Sequence, residues 1–176
     1  MKIVFFGSGY YTIPIIEKLR DVGLVLVVTV EGEGELIDYL KKEKIPYLYS
    51  RLVNKNELSK IQDLEPDLGV LASFGAFIPK SVIESFPRGI LNIHPSLLPK
   101  HKGPSPIQYT ILDGIRHTGI SIIKLDDQID HGPILLQRSF LLRGKETLKS
   151  ATERMFLEGA DMIYEVIQKM EHGLPI

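Results

Sequence analysis

Apolar residues form short continuous runs that alternate with stretches of helical periodicity along the chain. The continuous runs, which predict buried β-strands, lie at residues 2–6, 24–30, 47–49, 68–72 and 89–94. Helical spacing predicts helices at about residues 13–19, 34–43, 54–64, 79–85 and 105–113. Strands and helices that alternate at this spacing predict a doubly wound α/β fold with a mostly parallel sheet.

The pattern changes in the last third of the chain. Two β-rich runs, residues 118–124 and 134–140, are separated by an acidic loop without a helix, which predicts an antiparallel pair. Apolar residues at helical spacing then predict a long C-terminal helix that closes the core through Leu148, Ala151, Met155, Met162, Val166 and Met170. We interpret these methionines as packing residues, and we expect one domain over residues 1–176.

Composition and charge exclude several classes of protein. The chain has 176 residues and no Cys, so thiol nucleophiles, disulfides and zinc ribbons are excluded. Its 21 basic and 22 acidic side chains give no electrostatic basis for nonspecific binding to nucleic acid or to an anionic membrane. No apolar run approaches the roughly 20 residues that span a bilayer. We therefore expect a cytoplasmic protein with no membrane partner.

A glycine turn, Gly7-Ser8-Gly9, follows the first predicted strand and precedes a helix. Together with Glu31 at the end of the second strand, it matches part of a dinucleotide-binding fingerprint. Thr12 stands where the third glycine would be, and two tyrosines crowd the turn. A noncatalytic NAD-binding domain is one alternative function.

The end of the fifth predicted strand carries the most informative polar pair. Asn92 and His94 lie two residues apart, so their side chains leave the same face, and Pro95 disfavours a helical turn there. An amide and an imidazole can supply donors to a developing oxyanion, and histidine can move a proton near neutral pH. Alternatively, His94 caps a buried carbonyl and Asn92 satisfies a turn.

Four of the five histidines, His94, His101, His117 and His131, lie in one segment of the chain. Their separations resemble no short metal-ligand motif, so we expect no metal site. The other three are predicted to be surface residues.

The acidic loop contains three carboxylates, Asp126, Asp127 and Asp130, followed by Gly132. A solvated turn is the usual interpretation of such a loop. However, Ile129 between polar residues suggests that Asp130 is fixed in place, and mutual repulsion is expected to raise the pKa of at least one carboxyl. Spacing alone does not bring Asp130 beside His94.

Three segments carry a family resemblance. They are N-I-H-P-S-L-L-P-K-H-K-G from Asn92, T-G-I-S-I from Thr118 and D-H-G-P-I-L from Asp130. Together they resemble the folate-dependent formyltransferases, with the strongest likeness over residues 68–137 and a Rossmann-like fold implied. The resemblance also implies a cis bond before Pro99.

The resemblance implies formyl transfer from 10-formyltetrahydrofolate to an amine, with Asn92, His94 and Asp130 at the catalytic positions. In this scheme Asn92 and protonated His94 stabilise the oxyanion, while Asp130 orients His94 and shuttles a proton. The implied folate-binding positions, acting largely through backbone groups, are Phe74, Gly75, Ala76, Phe77, Ile78, Asp126, Asp127 and Ile129. The implied acceptor-binding positions are Gly7, Ser8, Gly9, Lys102 and Gly103.

The resemblance constrains the acceptor of the formyl group less than it constrains the formyl donor. Residues 103–108 and Thr118-Gly119 look most like the methionyl-tRNA branch of the family, whereas glycinamide ribonucleotide and sugar-nucleotide acceptors are alternatives. The acidic run of residues 31–35 and the end of the chain at Ile176 argue against tRNA binding. We expect folate and a small amine or aminoacyl acceptor as partners, and a noncatalytic folate-binding domain stays open.

Overall fold

The computed structural model describes residues 1–30, 32–50 and 55–176. Its strands are β1 (Ile3–Gly7), β2 (Leu24–Thr29), β3 (Tyr47–Tyr49), β4 (Leu68–Ala72), β5 (Ile90–His94), β6 (His117–Lys124) and β7 (Ile134–Leu141). Its helices are α1 (Ile13–Arg20), α2 (Glu35–Lys42), α3 (Lys55–Gln62), α4 (Lys80–Ile83), α5 (Pro106–Leu112) and α6 (Leu148–Glu171). Within the described residues, the strands form a mixed sheet in the order β3-β2-β1-β4-β5-β6-β7, which confirms the predicted α/β class.

The chain has two compact units, Met1–Leu91 and Asn92–Ile176. The single domain expected over residues 1–176 stays a prediction. The predicted starting residue of α3, Asn54, lies outside the described residues, as does Glu31. None of the described helices combines the length and apolar character that crossing a membrane requires.

Strand β1 is the centre of the first unit. It pairs in parallel with β2 and β4, and its residues Ile3 to Phe6 have no exposed surface. A strand covered on both faces needs apolar side chains at successive positions, which explains the continuous run in the sequence. The Phe6 ring meets Phe74 and Phe86 edge-on, at centroid distances of 5.6 and 6.0 Å.

The connection from β1 to α1 is tighter than the sequence predicted. A 3-10 turn, Tyr10–Thr12, precedes α1. It is closed by Thr12, whose backbone N–H and side-chain hydroxyl both donate to the Gly9 carbonyl, at 3.0 and 2.8 Å. Pro14 then lies in the first turn of α1, where its missing N–H leaves no intrahelical bond unmade.

The second unit contains the predicted antiparallel pair. Strands β6 and β7 pair from His117 opposite Leu141 to Ile123 opposite Ile134, with Ser121 opposite Gln137. Helix α6 begins with a capping box between Thr147 and Ser150. It buries Met155 and Met162, which confirms their predicted packing role.

Helix α6 approaches β5 closely at Gly159. A methyl group on this glycine would lie 2.7 Å from Ile93 Cγ2, which is too close for carbon atoms. Because side chains alternate along a strand, Ile93 faces away from the side that carries Asn92 and His94.

Candidate active site

Asn92 and His94 lie at the end of β5 and are almost completely buried, with exposed fractions of 8% and 4%. Their two-residue spacing along the strand places both side chains on one face, as the sequence predicted. Burial of two polar side chains requires nearby hydrogen-bond partners.

The carboxylate of Asp130 supplies the shared partner. Its Oδ1 atom accepts from Asn92 Nδ2 at 3.1 Å, and its Oδ2 atom lies 3.5 Å from His94 Nδ1. The Gly103 backbone N–H also donates to Oδ2, at 2.8 Å. Asp130 has a left-handed φ of 47°, which turns the loop at this residue. The structure therefore brings Asn92, His94 and Asp130, hereafter the trio, into one cluster.

The second ring nitrogen of His94 defines its tautomer. Nε2 lies 2.9 Å from the His101 carbonyl oxygen, which can only accept a hydrogen bond. Nε2 therefore carries a proton, and Nδ1 is the nitrogen that faces Asp130. The alternative in which His94 caps a buried carbonyl is thus realised at Nε2, while Nδ1 meets a carboxylate.

The acidic loop is closed by a hydrogen bond across it. His131 Nδ1 lies 2.8 Å from Asp126 Oδ2, and the Gln128 N–H donates to Asp126 Oδ1 at 2.9 Å. These two contacts, His131 first, lower the pKa of Asp126 below its usual value. Asp126 is therefore not a carboxyl whose pKa is raised by its neighbours, because the loop supplies donors to this carboxylate.

Ile129 and Gly132 shape the same loop. Asp130 is held in place by hydrogen bonds from Asn92 and Gly103. Ile129, which suggested a fixed position for Asp130, is itself 68% exposed. A methyl group on Gly132 would overlap the Lys124 carbonyl oxygen, so the turn requires glycine there. Asp127 is exposed.

The predicted folate-binding positions 74–78 lie in the first unit, and they comprise buried and accessible residues. Phe74 and Ile78 are buried, with exposed fractions of 3% and 5%, and anchor the segment in the core. Phe77 is 72% exposed. Gly75 has a left-handed φ of 73°, and it and Ala76 keep accessible surface.

The predicted acceptor positions at the glycine turn also lie in the first unit. The Ser8 hydroxyl is 3.2 Å from the Thr29 hydroxyl, accepts from the Val30 N–H at 3.3 Å and donates to the Phe74 carbonyl at 3.4 Å. Ser8 therefore joins three segments of the fold. Gly7 completes β1, where an added methyl group would overlap the Phe5 ring.

Tyr11 covers Gly9 in this turn. A methyl group on Gly9 would lie 2.5 Å from the Tyr11 ring and 2.8 Å from its hydroxyl oxygen. That hydroxyl is held 2.9 Å from the Ser73 hydroxyl. The crowding by tyrosine that the sequence suggested therefore has a defined geometry.

Lys102 and Gly103, the remaining acceptor positions, differ in their environment. Lys102 is exposed, whereas the Gly103 N–H donates to the trio. Neither this donor nor the His101 carbonyl was predicted from the sequence, because backbone groups are alike in every residue.

The Leu98–Pro99 peptide bond is cis, as the resemblance implied. In the described ranges, no three His, Asp or Glu side chains form a group that could hold a metal ion.

Two solved formyltransferase structures share the fold of this chain. Glycinamide ribonucleotide transformylase 1 from Symbiobacterium toebii is 21% identical and superimposes with a TM-score of 0.84, covering 98% of this chain and 88% of that protein's chain. Phosphoribosylglycinamide formyltransferase from Bacillus halodurans is 22% identical with a TM-score of 0.82, covering 97% and 95%. The chain therefore has a formyltransferase fold.

Sequence comparison defines the family. The formyl transferase family model matches residues 1–167, and the chain belongs to this family. Methionyl-tRNA formyltransferase from Thermus thermophilus is 30% identical over 99% of this chain and 61% of its own length. The enzyme of that name from Thermodesulfovibrio yellowstonii is 29% identical over 98% and 60%. The chain thus spans about 60% of the length of these curated relatives, and the family predicted from its motifs is confirmed.

Proposed function

We propose that this chain transfers a formyl group from 10-formyltetrahydrofolate to an amine. The observation that carries the proposal is the Asp130 carboxylate, which contacts Asn92 Nδ2 through one oxygen and His94 Nδ1 through the other. A buried amide, imidazole and carboxylate in contact form a group that can donate hydrogen bonds and move protons. Family membership supports this reaction class.

In the proposed reaction, the acceptor nitrogen forms a bond to the formyl carbon and the bond from that carbon to the donor nitrogen breaks. One proton leaves the amine and one reaches the donor nitrogen, so the net proton count is unchanged. Bound 10-formyltetrahydrofolate supplies the activated formyl group. Asn92 Nδ2 has two hydrogens; one is donated to Asp130 Oδ1, and we assign the other to the developing oxyanion.

His94 and Asp130 are assigned the proton transfer. The facing atoms are Nδ1 and Oδ2, at 3.5 Å, so a proton taken from the amine can be held between them and returned to the donor nitrogen. The oxyanion contact implied for protonated His94 stays a prediction, because Nε2 already faces the His101 carbonyl.

The folate-binding positions fit a flat heteroaromatic ring. Such a ring has apolar faces and an edge of hydrogen-bonding atoms. Within each unit, one predicted position exposes a large apolar side chain: Phe77 in the first and Ile129 in the second. The backbone has left-handed φ angles at Ser73 and Gly75, which turn the first segment. We assign the backbone groups of this turn to the hydrogen-bonding edge of the ring.

For the acceptor, we infer an aminoacyl or other small amine of the kind formylated by the methionyl-tRNA relatives. Tyr11 supports this choice over glycinamide ribonucleotide. Glycine turns at helix starts bind phosphate through exposed backbone N–H groups. Here the Tyr11 ring lies against Gly9 and its hydroxyl is fixed by Ser73. A sugar-nucleotide amine is the remaining alternative.

The test is a transfer assay with 10-formyltetrahydrofolate and three acceptors: methionyl-tRNA, glycinamide ribonucleotide and a sugar-nucleotide amine. We expect His94→Ala and Asp130→Asn to reduce the turnover of any formylated acceptor by about a hundredfold or more. His117→Ala removes an exposed imidazole and is the matched control. Transfer that survives both trio substitutions, or no transfer to any acceptor together with no binding of a folate analogue, would contradict the proposal.

A further inference from the structure

We propose that Gln137 is a positioning residue that sets the tautomer and orientation of His94 through Ser121 and residues 96–101. The assignment to catalysis rests on the proposed function, whereas the effect on the His94 ring can be measured independently. Gln137 lies on β7 opposite Ser121 on β6. The two residues are linked to His94 through the segment that follows β5.

The first link is between the two strands and the segment that follows β5. Gln137 Nε2 donates to the Ser121 hydroxyl at 2.8 Å and to the Leu98 carbonyl at 3.1 Å. The Ser121 hydroxyl donates to the Ser96 carbonyl at 2.7 Å and accepts from the Leu98 N–H at 3.1 Å. Ser121 and Ser96 have no exposed surface, so the bonds from Ser121 to Ser96 and Leu98 are protected from water. Gln137 is exposed, and its two bonds are partly buried.

The second link closes the segment on itself. The Ser96 N–H donates to the His94 carbonyl at 2.9 Å, and the Ser96 hydroxyl donates to the Lys100 carbonyl at 2.7 Å. The Lys100 N–H in turn donates to the Leu97 carbonyl at 3.1 Å. Residues 96–100 therefore form a compact turn whose position is determined by Gln137 and Ser121.

The third link is the residue at the end of this turn. His101 has a left-handed φ of 52°, and its carbonyl oxygen lies 2.9 Å from His94 Nε2. Because the carbonyl can only accept, its position keeps the proton on Nε2 and leaves Nδ1 towards Asp130. The Asp130 carboxylate can also only accept, and it favours a proton on Nδ1. Displacement of the turn removes the carbonyl acceptor, so the tautomer with the proton on Nδ1 is then favoured. A fixed tautomer is what a ligand or acid–base histidine needs from its supporting hydrogen bond.

The decisive variant is Gln137→Met, which keeps the length of the side chain and removes its N–H donors. Ser139→Ala is the matched control, because Ser139 is an exposed polar residue two positions along the same strand. Ser121→Ala removes the next link of the chain. Thermal melting of each variant establishes that it is folded at the temperature of the measurements.

The primary readout is ¹⁵N NMR of protein labelled at histidine, which distinguishes a protonated Nε2 from a protonated Nδ1. We expect His94 to hold the Nε2 proton in the parent and in Ser139→Ala. In Gln137→Met and Ser121→Ala its ring signals should move towards those of a ring protonated on Nδ1, the nitrogen that faces Asp130. His94 signals that are unchanged in both variants would overturn the positioning role, whether or not the protein transfers formyl groups.

The second readout is the split between kcat and KM for formyl transfer. We expect kcat to fall about five- to tenfold in Gln137→Met, the value of about one buried hydrogen bond, with KM for the folate donor within about twofold. A rise in KM at constant kcat would contradict the inference. Absence of transfer in the parent protein would overturn the proposed function, and the NMR comparison would still decide the inference about Gln137.

Discussion

The glycine turn after β1 and the segment after β5 are both irregular connections that follow a buried strand, and both carry polar residues predicted to be functional. In the glycine turn, the Ser8 hydroxyl is engaged by Thr29, Val30 and Phe74. After β5, the side chains of Asn92 and His94 instead meet a carboxylate from a distant loop.

The difference lies in what the partners can do. Hydroxyl and backbone groups at the glycine turn exchange no protons near neutral pH, so their hydrogen bonds hold segments together. In the trio, by contrast, an imidazole nitrogen lies 3.5 Å from a carboxylate oxygen, and to this pair we assign the proton transfer. We therefore expect substitutions at the first connection to change stability or acceptor choice, and substitutions at the second to change turnover.

The largest effect is expected for Asn92→Ala. Loss of a hydrogen-bond donor to the developing oxyanion should reduce kcat by about a hundredfold or more, with little change in KM for either substrate. Steady-state kinetics of formyl transfer measure this, with Gln62→Ala on α3 as an exposed amide control. If Asn92→Ala raises KM and leaves kcat unchanged, Asn92 is a binding residue. The expected contrast, in which substitutions after β5 change turnover and those in the glycine turn do not, would then be lost.

Ser8→Ala should act through stability. Ser8 is 7% exposed, and its hydroxyl contacts three residues in two other segments. Its loss should therefore lower the free energy of unfolding by about 1–2 kcal/mol, while kcat changes less than about twofold. Urea denaturation measures the first value, and Ser59→Ala on α3 is the exposed control. If KM for the acceptor rises and stability is unchanged, Ser8 binds the acceptor, as the family resemblance implied.

Tyr11→Ala should alter acceptor choice. Removing the ring uncovers Gly9 and its turn, so inorganic phosphate should inhibit the variant about threefold more strongly than the parent, a typical value for an anion at a helix start. Tyr11→Phe keeps the ring and loses the hydroxyl contact to Ser73, and should behave like the parent. Equal inhibition of all three proteins would show that Tyr11 does not shield this turn.

The smallest effect concerns Asp126. Its pKa is lowered by His131 and by the Gln128 N–H, so its stabilising contribution is complete above the usual pKa of aspartate and is lost as the pH falls through the lowered value. The stability difference between the parent and Asp126→Asn should therefore be constant above about pH 5 and shrink below about pH 4. Denaturant titrations between pH 3 and 6 measure this stability difference. A difference that grows on acidification would contradict the expected direction of the pH dependence.

Most of the fold could be predicted because its strands are buried on both faces. Continuous apolar runs marked β1 and β2, and the lack of a helix between the last two β-rich runs indicated the antiparallel β6–β7 pair. The 3-10 turn before α1 was missed, because it is produced by the hydroxyl and N–H of Thr12 bonding to a single carbonyl. Such a turn has no periodicity in the sequence.

The candidate site was only partly predictable. The spacing of Asn92 and His94 placed both on one face, but Asp130 joined them only through the family motif, because 36 residues separate it from His94. The acceptor for His94 Nε2 is a backbone carbonyl, and its position depends on the register of Ser121 against Gln137. Neither a carbonyl's direction nor a strand register is encoded in residue type at one position.

The contact between Gly159 and Ile93 makes the trio adjustable from the opposite face of the sheet. Ile93 is the residue between Asn92 and His94, and α6 packs directly behind it with no space for another methyl group. An added methyl group at position 159 must displace the Ile93 side chain, the helix or the strand. Side-chain volume at a residue with no polar atoms could thus be used to tune the distance between Asp130 and its two partners without altering the chemistry of any of the three.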